Sequence, residues 1–184
     1  MREITYEVRG FLTVRRDSWR VPLSGSLAVH AEPGPGPFTG DLVLRPSSIS
    51  RGILGVRIVR ATVQIVPGSP VTGQIGPDGQ LSATVTVDAT ITSARAAGWP
   101  LTSGDACRTA ASAVVPLRSR PGFRLEQGGR LAGRYDRPPF TGCGWLTPVV
   151  NLLAAGPGNA AVIDLIPRTS HAGSADPGSR PDAP

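Results

Sequence analysis

The chain has 184 residues, of which 23 are glycine and 19 proline, and its formal net charge of +6 is carried by arginine with no lysine at all. That length suits one domain with a real core. No run of about 18 apolar residues exists, which excludes a membrane-spanning helix. The arginines are scattered, with Arg15-Arg16 the only adjacent pair, which argues against a nucleic-acid-binding face.

Residues 4–14 alternate. Ile4, Tyr6, Val8, Leu12 and Val14 fall on one face, and Thr5, Glu7, Arg9 and Thr13 on the other, the pattern of a half-buried strand. Arg16 to Trp19 reads as a turn, Val21 to Val29 as the second strand and Phe38 to Leu44 as the third. Pro33, Pro35 and Pro37 remove three donors between them, so that stretch is loop. An apolar-x-Gly-x-apolar pattern recurs at 8–12, 23–27, 38–42, 71–75 and 131–135. Hairpins centred at 17/18 and 32/33 would set Gly10 opposite Gly25 and Gly25 opposite Gly40, with inward residues facing inward. The expectation is a three-stranded meander with a row of glycines across its inner face. Such a row permits sharp coiling or leaves room for a ligand.

Ile49 to Val56 is apolar without alternation and reads as a connector or lid. Val59 to Ile65 is a strand. Val71 to Ile75 and Leu81 to Ile91 form a hairpin around Gly76-Pro77-Asp78-Gly79, with Ile75 opposite Leu81. Residues 96–106 read as a loop carrying Trp99, and Cys107 to Leu117, Leu131 to Tyr135 and Ala160 to Ile166 as strands. Between the last two lies one short helix, about 148–155. Thr147 is its expected N-cap, Pro148 its first residue, and Val149, Leu152 and Leu153 its apolar stripe, with Gly156-Pro157 as the stop. Two turns are marginal alone, so the helix must pack on the strands. Residues 168–184 carry no apolar periodicity and read as a disordered tail, leaving 1–167 as a single β domain. The fold class is therefore all-β: an antiparallel β-barrel or strongly coiled β-sandwich of about nine strands with one helix.

Chemistry-bearing motifs are absent. There is no GxSxG elbow and no HExxH. His30 and His171 are not placed to serve a nucleophile, and the carboxylates are spread. Asp136 beside Arg137 reads as a loop ion pair. The Gly-Pro runs at 34–36 and 156–159 lack the amides of a phosphate loop, and Asn159 reads as bonding within its own turn. No catalytic, metal or cofactor site is expected. Cys107 and Cys143 have no CxxC partner, which makes zinc a poor reading. A disulfide is the better one, with two buried thiols as the alternative. Trp19, Trp99 and Trp145 read as half-buried loop residues or as the lining of an apolar site.

One set of motifs is shared. It comprises Cys107-Arg108-Thr109, Leu131 to Tyr135, Pro139-Phe140-Thr141-Gly142-Cys143-Gly144, Thr147-Pro148, Asn151-Leu152-Leu153 and Gly156 to Asn159. With the pieces at 21–25 and 38–42, the chain resembles a family of secreted, uncharacterised all-β proteins of actinomycetes over roughly residues 8–166. The resemblance implies export and a Cys107–Cys143 bridge, and it adds no mechanism. Met1-Arg2-Glu3-Ile4 leads straight into a strand without an export signal. The expectation is a true start upstream or a signal already removed, the alternative being a reduced cytosolic chain.

Three function classes follow. The first is a secreted or cell-envelope, non-catalytic barrel module holding an apolar, lipid-like ligand inside, with Gly10, Gly25, Gly40, Trp99 and Trp145 as candidate lining. The second is a structural or adhesive envelope module with a filled core. The third is an enzyme of unnamed class, since sites are grafted freely on folds.

Overall fold

A computed structural model describes residues 2–14, 19–53 and 56–168. The strands in chain order are β1 (Arg2–Val14), β2 (Trp19–Ala31), β3 (Gly36–Leu44), β4 (Ser47–Ile53), β5 (Val56–Pro67), β6 (Val71–Ile75), β7 (Leu81–Ala96), β8 (Trp99–Ser103), β9 (Arg108–Thr109), β10 (Ala113–Ser119), β11 (Gly129–Arg137) and β12 (Phe140–Thr141). A 3-10 turn (Gly144–Leu146), the helix α1 (Thr147–Ala154) and β13 (Gly156–Pro167) complete the order. Eight strands close into an antiparallel barrel in the cyclic order β1-β2-β3-β6-β7-β10-β11-β13. The remaining strands lie outside that ring: β4 pairs β5, which extends along β7, and β8 and β9 continue the opposite edge of β7. No helix among the described residues is long and apolar enough to cross a membrane.

Alternation sets which side chains face in. Tyr6, Val8, Leu12 and Val14 of β1 are buried, as are Leu81, Ala83, Val85 and Ala89 of β7. Each is flanked within its strand by a more exposed neighbour, such as Glu7 beside Tyr6 and Thr13 beside Val14, as a pleated strand requires. The Gly76–Gly79 turn has the expected form. Gly79 adopts φ +73 and donates to the Gly76 carbonyl, and Ile75 faces Leu81.

The meander forms, but its registers differ from expectation. Gly25 faces Val8 on one side and Leu44 on the other, and Gly40 faces Val29. The glycines are therefore not a row. The shifts are two and four residues, both even, so every inward residue still faces inward. The turn at 15–18 lies outside the described residues, as does the tail at 169–184. Three further expectations are corrected. Residues 49–53 belong to strand β4, because their backbone finds β5 as a ladder partner. The stretch from Trp99 is strand β8, paired with the end of β7. Cys107 to Leu117 is broken into β9 and β10.

The glycines sit where backbones nearly touch. A Cβ on Gly10 would lie 2.1 Å from the Val162 carbonyl oxygen, on Gly25 2.0 Å from that of Val43, and on Gly133 1.7 Å from that of Pro116. Only a residue without a side chain allows strands to coil so tightly. On β1 the glycine divides Tyr6 and Val8 from Leu12 and Val14, and on β11 it divides Leu131 from Tyr135. The two halves of the barrel differ. One is packed by Tyr6, Val8, Phe38, Leu81, Leu117 and Leu165 among others, leaving only about 30 Å³ unfilled. The other is not packed by side chains.

Two outcomes test this account. Gly133→Ala should lower the urea midpoint by the equivalent of about 1–3 kcal/mol, the usual cost of overpacking. Val43→Ala, at a side chain 62% exposed, should stay within about 0.5 kcal/mol of the parent. The second concerns Tyr6, whose hydroxyl donates to the Leu125 carbonyl. Burial first, and the Glu126 carboxylate second, push this phenol up to about 12 from 10.0, against the pull of Arg2. The fold thus favours the neutral phenol, so its contribution is intact below pH 10 and is lost as pH rises toward about 12. Denaturant titrations across that window should show stability falling in the parent and a shallower fall in Tyr6→Phe.

Candidate functional site

The unpacked half is a chamber of about 420 Å³. Its wall is apolar because inward positions there are aliphatic and often small. Leu12 and Val14 come from β1, Val21 from β2, Ile49 from β4, Ala61, Val63 and Ile65 from β5, and Val87, Ala89 and Ile91 from β7. Alanines at 61, 89, 94 and 113 stand where the packed half carries leucine or phenylalanine, and this difference in side-chain volume opens the space.

The helix α1 roofs the chamber. Val149, Val150, Leu153 and Ala154, with Leu146 before the helix, line it. The expected stripe is thereby corrected, since Leu152 points outward with 61% of its surface exposed. The expected cap is corrected too. The helix begins at Thr147, whose hydroxyl donates to the Gly144 carbonyl, and no side chain caps its N-terminus. The roof is instead secured elsewhere. Asn151 accepts from the Phe140 N–H at 2.6 Å and donates to the Phe140 carbonyl at 3.0 Å, mimicking a strand partner for β12. Cys107 and Cys143 are joined in a disulfide. Ile91 of β7 donates its N–H to the Cys107 carbonyl, so the bridge ties the segment leading into the helix directly to the longest strand.

Among the described residues, three polar side chains line the chamber. Thr109 is satisfied by the Ala89 N–H at 3.2 Å. Tyr135 and Arg137 are adjacent inward positions of β11, on either side of a bulge against β13. Arg137 donates to the Tyr135 hydroxyl at 2.6 Å, and its guanidinium carbon lies 5.7 Å from the tyrosine ring centre. Asp136, expected to pair with Arg137, instead accepts the Gly158 N–H at 3.1 Å, because neighbouring residues of a strand point to opposite faces. Asn159 donates to the Gly156 carbonyl three residues back, a local bond as expected, although both residues lie in strand β13 and not in a turn.

None of the sequence-based lining candidates lines the chamber. Gly10, Gly25 and Gly40 lie against neighbouring backbones or side chains. Trp99 and Trp145 are 77% and 75% exposed and stand outside the wall. Trp19 opens β2, and its side chain falls outside the described set. Sequence reasoning missed Tyr135 and Arg137 as a pair facing inward. The available signal was their i, i+2 spacing at the end of a strand whose alternation was already clear. Among the described residues no group of three or more His, Cys, Asp or Glu side chains could hold a metal.

Fold and site together define a closed antiparallel barrel, half packed and half hollow, with a disulfide-tied helical roof. No family model, no curated protein and no solved structure matches this chain.

The bridge closes a segment of sequence separation 36, for which chain entropy predicts roughly 4 kcal/mol of stabilisation. Replacing both cysteines by serine should lower unfolding stability by about that amount. Hydrogen exchange should also show faster opening of the Phe140 and Ala155 amides, whereas the β1–β2 ladder far from the bridge should open only with the whole fold.

Proposed function

We propose that this protein is a non-catalytic binding module that holds an apolar, lipid-like ligand in its chamber and works in an oxidising, extracellular or cell-envelope setting. The single observation that carries the reading is the chamber itself: about 420 Å³, within the usual range of small-molecule sites, with an aliphatic wall. The wall presents almost only apolar surface, and covering such surface is worth roughly 25 cal/mol per Å². An apolar guest supplies that cover.

Among the described residues the chamber wall contains no carboxylate, histidine or thiol, which supports binding over catalysis. The Cys107–Cys143 bridge supports an oxidising compartment, and with it the resemblance to secreted actinomycete proteins. A filled-core structural module fits only the packed half of the barrel.

Native mass spectrometry of gently purified protein, followed by titration with a neutral naphthylamine dye, tests the reading. The parent chain should retain an apolar adduct or take up the dye. Ala89→Phe, which places an aromatic ring in the chamber, should weaken uptake at least tenfold without lowering the melting temperature. A parent that neither retains an apolar molecule nor binds the dye would refute the proposal.

A further inference from the structure

The chamber is not uniformly apolar, and its one charged lining residue among the described residues is at an edge. Arg137 lines the chamber and also an outer recess of about 670 Å³ that includes Asn151 and Asn159. Val14 and Leu153 are shared by the same two spaces. Arg137 therefore stands at the junction between an aliphatic interior and a polar exterior.

Its bonding is incomplete for a cation in such a place. Arg2, Arg9 and Arg130 each pair with a carboxylate. Arg137 meets no carboxylate among the described residues, and its bond goes to a neutral hydroxyl. A guanidinium carries five N–H donors in a planar fork, so most of that capacity is unspent. The Tyr135 hydroxyl accepts from Arg137, and its own proton reaches no acceptor among the described residues, although Tyr135 is buried. Two donors thus converge, one charged and one neutral, with no acceptor supplied by the protein. A buried hydroxyl without an acceptor is costly, and a planar anion at the junction would match the guanidinium fork and take that hydroxyl's proton.

We infer that the chamber's ligand is a long-chain carboxylate, its head held by Arg137 and Tyr135 at the junction and its hydrocarbon chain in the chamber. This rests on the apolar-ligand reading above and specifies the ligand's class. Size is consistent with it: at roughly 30 Å³ per water-sized group, close to the volume of a methylene, the chamber takes about fourteen. The tail contributes affinity through burial, and the head sets orientation and selects acids over neutral amphiphiles.

The test compares myristate with tetradecanol, which share a chain and differ in the head, by displacement of the neutral dye from the full chain at pH 8. A charge-assisted head contact predicts that the parent binds myristate roughly tenfold or more tightly than tetradecanol. Arg137→Met should abolish that preference while leaving tetradecanol binding within about twofold, and Tyr135→Phe should reduce the preference in part. If the methionine variant does not fold, Arg137→Gln serves in its place. Equal binding of acid and alcohol by the parent, or a preference that survives loss of the guanidinium, overturns the head-group assignment and leaves the apolar chamber standing. A parent that binds neither compound overturns both.

Discussion

The ladder pairing along β7 is the interaction on which the rest of the molecule depends. Its sixteen residues bond β6 and then β5 along one edge, and β10, β9 and β8 along the other. The bonds to β6 and β10 close the ring. With those ladders made, no barrel strand keeps an open edge along that length, which removes the template for pairing with other chains. The bonds to β5 and β8 lengthen the wall past the ring and give the chamber its depth. A shift of β7 by one residue would turn its alanines outward and its threonines into the core.

Closure in turn demands strong coiling, and the glycines at 10, 25 and 133 permit it where backbone approaches backbone. These same positions separate the two halves of the barrel. Large side chains on one side leave only about 30 Å³ unfilled, and small ones on the other cannot span the diameter. Filled core and open space are in this way assigned to different ends of one ring. The packed end can hold the fold while the hollow end leaves the space of the proposed binding site.

The roof shows how a marginal element is made definite. Two helical turns without an N-terminal side-chain cap would not persist alone. Here the helix is held at three points: the sulfur bridge before it, the Asn151 amide against β12, and the apolar face formed by Val150, Leu153 and Ala154. Exposure of Leu152, and partial exposure of Val149 although it lines the chamber, reflects a helix lying on a cavity mouth.

Much of this was readable from local pattern. Strict alternation marks the inner face of β1 and β7 without knowledge of their partners, because side-chain direction is a property of the strand itself. The Pro77-Asp78-Gly79 turn fixes its hairpin register, since the turn's geometry dictates which residues meet. The helix between Thr147 and Gly156 and the Cys107–Cys143 pair were likewise legible, from Pro148 at its start, the Gly156-Pro157 breaker and the cysteine number, although the expected Thr147 cap does not form. Registers at the first two turns were not, because neither 15–18 nor 31–35 has a turn chemistry that selects one loop length, and parity of alternation tolerates slips of two. Nor does any local pattern show that alanines from β5, β7 and β10 face one another across a gap, or that Tyr135 and Arg137 meet its edge. Direction is decided residue by residue along the backbone, whereas volume and encounter are decided only when distant strands are brought into one ring.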